Sequence, residues 1–134
     1  MSQENVETVR NVNALVNAGD WNAVFDLYHP DVEFRDLHPA PDVPEAVRGI
    51  EDLRRVLSHW TEVYDEFAAE VYEYIDAHPW VICYTRWHGR VKGSDVPIDF
   101  RGADAVEVKD GKILRVVIGY PDVATALEAV RPAE

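Results

Sequence analysis

Asp110-Gly111 stands between two runs in which apolar and polar residues alternate, and no other stretch constrains the fold as tightly. The two-residue turn that matches strand twist needs positive φ at both central positions, which Asp-Gly adopts readily. Residues 98–108 and 112–120 are therefore predicted to be antiparallel neighbours. A third alternating run, 80–91, precedes them across turn residues, so the three read as a meander. Counting in twos from Val106 and Val108 puts Ile98, Phe100 and Asp104 on the inward side. The flanking strands then turn Val81, Cys83, Thr85 and Trp87, and Leu114, Val116, Ile118 and Tyr120, to that side. Asp104 is the one charged residue there, and a purely structural sheet has no need of it.

The rest of the chain supplies what covers that face. Val6, Val9, Val12, Leu15 and Val16 recur at helical steps over 3–18, and Gly19 stops the helix. Asp20 caps a shorter helix with Trp21, Val24, Phe25 and Leu27, which is predicted to end at His29-Pro30. Residues 32–36 alternate as a short strand whose end carries Asp36, and a proline-rich loop, 37–44, forms a rim or lid. Ile50, Leu53, Val56, Leu57, Trp60, Val63, Tyr64 and Phe67 keep a helical period for nearly five turns, and 70–76 alternates into the meander. Asp122 caps a last helix with Leu127 and Val130 facing inward. This order predicts a single α+β domain over 1–134, with helices gathered on one face of a curved antiparallel sheet. The opposite face of the first long strand carries Trp80, Ile82, Tyr84, Arg86 and His88, apolar enough to predict a homodimer through the sheet.

Charge and motifs exclude several functions. Twenty-five acidic against thirteen basic residues give a net charge of −12, which repels nucleic acid and anionic membrane surfaces. A lone cysteine, a polar start after Met1 and the lack of a run of transmembrane length point to a cytoplasmic protein. The five histidines have no metal-ligand spacing, and there is neither a phosphate-binding glycine loop nor a Gly-x-Ser-x-Gly elbow. No metal and no cofactor are expected.

Taken in order, Ala18-Gly19-Asp20-Trp21, His29-Pro30-Asp31-Val32-Glu33-Phe34, Arg48-Gly49, and 104–120 with Asp110-Gly111-Lys112-Ile113 carry a resemblance. Over about residues 6–130 the chain resembles the nuclear-transport-factor-2-like superfamily, in its SnoaL-like and ketosteroid-isomerase-like branch. The resemblance implies a cone-shaped sheet wrapped around about three N-terminal helices, a short C-terminal helix, an apolar pocket and a homodimer. From the isomerases it also implies that Asp36 abstracts a proton and that Asp104 stabilises the enolate. The tyrosine those isomerases carry on the first helix would fall at Val12; Tyr120 and Tyr64 are the nearest candidates to supply the hydroxyl. Cyclases of the SnoaL type are thought to work with one pocket aspartate as acid and base.

Paired carboxylates in an apolar pocket suit proton transfer, because burial and mutual repulsion push their pKa values apart. The expected catalytic set is therefore Asp36, Asp104 and Tyr120. His38, two residues past Asp36, is a candidate proton shuttle, and Trp60, Tyr64, Trp87, Val116 and Ile118 are expected to line the pocket. Two functions fit: an enzyme that moves a proton next to a carbonyl on a small hydrophobic molecule, or a pocket protein of the same fold that binds such a molecule without turning it over.

Overall fold

Asp110 and Gly111 take φ of 52° and 75°, as the hairpin requires, and the expected meander follows from that turn in both directions. The computed structural model describes residues 2–39 and 44–131, so part of the rim loop expected at 37–44 lies outside the described residues. The elements run α1 (Ser2–Ala18), α2 (Trp21–Asp26), β1 (Tyr28–Asp36), β2 (Ala46–Arg48), α3 (Ile50–Val63), β3 (Tyr64–Ala77), β4 (Trp80–Val91), β5 (Pro97–Lys109), β6 (Lys112–Tyr120) and α4 (Val123–Val130). The strands form one curved, unclosed sheet in the order β2-β1-β6-β5-β4-β3, giving the α+β fold. Neighbours are antiparallel except where β1 lies parallel to β6.

The helices follow from local chemistry. Asp20 accepts the amide of Ala23 to cap α2, and Asp122 accepts that of Thr125 to cap α4. Val6, Val9 and Val12 of α1 and Leu53, Val56, Leu57 and Trp60 of α3 pack on the inner face of the sheet in one core with Val32, Phe34, Val81, Cys83 and Val106. Leu53 is fully buried; cutting such a side chain to alanine typically costs about 2–5 kcal/mol.

Several boundaries differ from the expectation. The first strand begins at Tyr28, so His29-Pro30 lies within β1 instead of ending a helix; the register with β6 shifts between Tyr28 and Glu33, which spares Pro30 a place in the ladder. Helix α3 ends at Val63, and Tyr64 and Phe67 belong to β3. A bulge between Asp65 and Ala68, with Glu66 at φ 52°, puts these two rings on one side at a spacing of three, which mimics a helical step. They stack at 5.5 Å.

Two register shifts also change the parity of β6. One pairs Val108 with Ile113, and it buries Ile113 in the inner core in place of Leu114. The other pairs Ala103 with Tyr120 and Ala105 with Val117, and it turns Tyr120 to the outer face. There α4 seats Ala126 on Ile82, Ala103 and Ala105, flanked by Trp80, Tyr120, Val123 and Val130. Leu127, expected to face inward, is 37% exposed, because contact with small alanines brings the helix close through its own alanine. The chain's own C-terminal helix thus covers Trp80 and Ile82. Among the described residues no helix is long and apolar enough to cross a membrane.

Candidate active site

Between the inner face of the sheet and helices α1, α2 and α3 lies a cavity of about 80 Å³. Its wall is apolar apart from Asn13, Tyr28, Cys83, Thr85 and Asp104. Val116, Ile118, Trp60 and Trp87 are among the residues that line it. The space is roughly half of the ~150 Å³ that accepts benzene, so a flat ring enters only if a wall side chain moves.

Asp104 sits in β5 opposite Cys83 and is 5% exposed. Its two oxygens are held separately: the Trp87 indole Nε1–H donates to Oδ2 at 2.8 Å, and the Gly119 amide donates to Oδ1 at 3.2 Å. The amide points there because Gly119 takes φ 104° at the second shift in β6. Burial pushes the carboxyl up to about 7; the Trp87, Gly119 and Thr85 donors oppose that rise, and the charge of Asp36 adds to it. Trp87 is fixed by stacking on Phe67 at 5.2 Å and by an edge contact with Trp60, which in turn meets Phe34.

Asp36 shares the inward parity of Val32 and Phe34 but does not line the cavity. It is half-buried at the end of β1, where its Oδ1 accepts the amide of His38 at 2.8 Å. Burial raises its pKa, and the amide bond and ring of His38 lower it. Its charge is felt by Asp104 and by the Tyr64 phenol, so it is an electrostatic neighbour of the site. His38 also stands outside the cavity wall: its Nε2 lies 3.1 Å from the Gly119 carbonyl, to which it donates in the protonated-Nε2 tautomer, and its ring is 5.3 Å from Phe100. Tyr64 lines an adjoining groove with Val16, Trp21 and Trp60, three residues that the groove shares with the cavity. Tyr120, expected in the pocket, lies on the opposite face of the sheet.

Tyr28 and Asn13 were missed. Tyr28 keeps the parity of Asp36, Phe34 and Val32 counted back in twos, a signal hidden by the His-Pro pair. The thiol of Cys83 is pushed up by burial and by Asp104, which keeps it neutral and a poor nucleophile. No cluster of three or more metal-ligating side chains exists among the described residues.

Residues 9–116 match the family model of the SnoaL-like domain. Among curated proteins, none matches the chain in sequence. Solved structures are similar in fold. An NTF2-like protein from Burkholderia thailandensis shares 21% identity over 96% of this chain and 98% of its own, with a TM-score of 0.77. A putative isomerase from Bacillus subtilis shares 16% over 86% and 84%, at 0.74. A hypothetical protein with a ketosteroid isomerase-like fold from Catenulispora acidiphila, in complex with trimethylamine, shares 17% over 85% of each chain, at 0.73.

Proposed function

Because the chain belongs to the SnoaL-like domain family, we propose that it is a proton-transfer enzyme of isomerase, cyclase or dehydratase type, acting on a small carbonyl compound beside Asp104. The observation that carries this reading is a carboxyl deep in an apolar cavity with a pKa raised to about 7. At neutral pH such a group exists in both forms, as an acid-base catalyst requires. In the ionised form Asp104 takes a proton from the carbon next to the carbonyl; the electron pair moves onto the oxygen as an enolate, and the carboxylic acid returns the proton at the same or a conjugated carbon. The chemistry balances without a cofactor. Since Asp36 is off the cavity wall, it acts through its charge on Asp104 and does not reach the substrate. The small cavity favours occupants of a few heavy atoms, and one structural neighbour is described with trimethylamine, a molecule of that size. A second copy of the chain on the outer sheet face belongs to the same reading.

The test needs no knowledge of the natural substrate. Deuterium incorporation next to the carbonyl of 2-butanone in heavy water, followed by proton NMR, should be accelerated by the wild-type protein. Asp104→Ala should lose roughly 10²–10⁴-fold. Asp36→Asn should retain activity with its pH profile moved to lower pH, because removing a negative charge makes Asp104 easier to ionise. If Asp36→Asn abolishes exchange while Asp104→Asn is tolerated, Asp36 is the base. Binding of the ketone without any acceleration would leave a non-catalytic pocket protein.

A further inference from the structure

The cavity comes closest to the surface where it adjoins the groove along Tyr64. Most of its wall is buried; the partly exposed residues in it are Asn13, Val16, Trp21, Val71 and Trp87. Of these, Val16 and Trp21 also wall the groove, together with Trp60, Tyr64, Phe67 and the exposed Asn17. The groove offers about 230 Å³, against 80 Å³ beside Asp104. Benzene is accepted by ~150 Å³, so a six-membered ring fits the groove and not the cavity. Two indoles stand in both walls, and they are held very differently. Trp60 is 6% exposed and locked among Phe34, Phe67 and Trp87, with ring centroids at 5.6, 5.4 and 6.2 Å. Trp21 is partly exposed at the start of α2 and meets the ring of Phe25 in a tilted contact at 6.5 Å. Of the two, Trp21 is the side chain with room to change rotamer, a fast motion for groups that reach solvent.

We propose that Trp21 determines which substrates are accepted: it swings aside so that the carbonyl end of a substrate sits beside Asp104 while an apolar tail, a ring in particular, lies in the groove. The limit of a few heavy atoms then applies only to the end beside Asp104. The groove's chemistry suits such a tail. Trp21, Trp60, Tyr64 and Phe67 give it aromatic walls, and its side-chain amide and threonine hydroxyl are engaged within the fold. The Asn17 amide donates to the Ala69 carbonyl at 2.7 Å and accepts the Ala69 N–H at 2.9 Å, and the Thr61 hydroxyl donates to the Ser58 carbonyl. The two spaces are also near each other. Trp87, whose indole donates to Asp104, stacks on Phe67 of the groove, so a short carbon linker joins a head at the acid to a tail beyond the partition.

This inference rests on the reading of the cavity as a site for a carbonyl compound, and two ketones with the same head separate the two. 2-Butanone has no tail, and 4-phenyl-2-butanone carries a ring on a two-carbon linker; binding is followed by tryptophan fluorescence. The wild-type protein should bind the phenyl ketone at least about tenfold more tightly, the effect of burying one aromatic ring, and the two ketones should compete. Tyr64→Ala should cut that preference about fivefold, the worth of one aromatic pair. A side chain that must leave a closed position taxes association by the fraction of time it is open, so Trp21→Ala should speed association of the phenyl ketone about tenfold or more in stopped flow. Trp21→Phe should act in the same direction and serves if the alanine variant does not fold. Equal affinity for the two ketones, binding without competition, or association that either Trp21 variant leaves unchanged overturns the proposal. If neither ketone binds, the ligand site is refuted and this inference with it. If both bind and compete as expected but no hydrogen exchange is accelerated, the enzyme reading fails and the role of Trp21 in binding stands.

Discussion

Asp104 is pulled in opposite directions by its surroundings. Each carboxylate oxygen accepts one N–H, from Trp87 and from Gly119, and both bonds favour the charged form. Burial favours the neutral form and prevails, leaving the group at about 7 against an ordinary value near 3.8. The folded chain therefore holds a proton that the unfolded chain has released between pH ~4 and ~7. Stability from this group is greatest near pH 4, declines as pH rises toward 7 and is level above it, a loss on the order of 4 kcal/mol across the window. Urea midpoints measured from pH 4.5 to 8 should show that decline in the wild type and a shallower one in Asp104→Ala, the remainder coming from Asp36, whose carboxyl is raised in the same sense. A wild-type midpoint that rises over this range would contradict the assignment. Asparagine is not a neutral replacement here, because it keeps one acceptor where two N–H donors point, leaving one unsatisfied at about 1–3 kcal/mol. The inward position of Asp104 was legible from strand parity. Its donors were not: Trp87 lies 17 residues away, and the Gly119 amide reaches Asp104 only through a backbone turn that no alternation reveals.

At the level of elements, the strands were legible and their bulges were not. A period of two shows which residues share a face but not where one extra residue reverses the phase. Leu114, Tyr120 and the overlong α3 share that cause, for each sits at or beyond a register shift in β6 or β3. The shift at Gly119 is also the element on which the site depends. A Cβ there would meet His38 Cδ2 at 2.8 Å, on a backbone already at φ 104°. Gly119→Ala should lower stability by about 1–3 kcal/mol, and by tilting the amide away from Oδ1 it should raise the Asp104 pKa above its present value. Thermal melting combined with carboxyl carbon NMR checks both. Unchanged values in the two measurements would mean that the shift is not what holds the acid.

For the molecule as a whole, the proposed dimer depends on the outer face. With Trp80 and Ile82 under α4, the surface left for a second copy centres on Tyr72, 45% exposed, its neighbour Tyr84 at 5.4 Å and Arg101, which lies over the Tyr72 ring. Parity exposed this face in the sequence, but the docking of α4 was invisible because Ala103, Ala105 and Ala126 carry little apolar signal. Light scattering at micromolar concentration should give twice the chain mass of 15.2 kDa, and Tyr72→Glu should return the mass to that of one chain. A wild-type monomer would rule out the sheet-face dimer. The slot beside Asp104 has a mechanical consequence for the folded chain. Its 80 Å³ is partly open to the surface, so whatever part of it water fills incompletely is volume that unfolding recovers, at most about 50 mL per mole and within the range by which compression destabilises folded proteins. Hydrostatic pressure therefore works against this fold through one identifiable gap between α1 and the sheet, and an occupant that fills the gap removes that susceptibility as it binds.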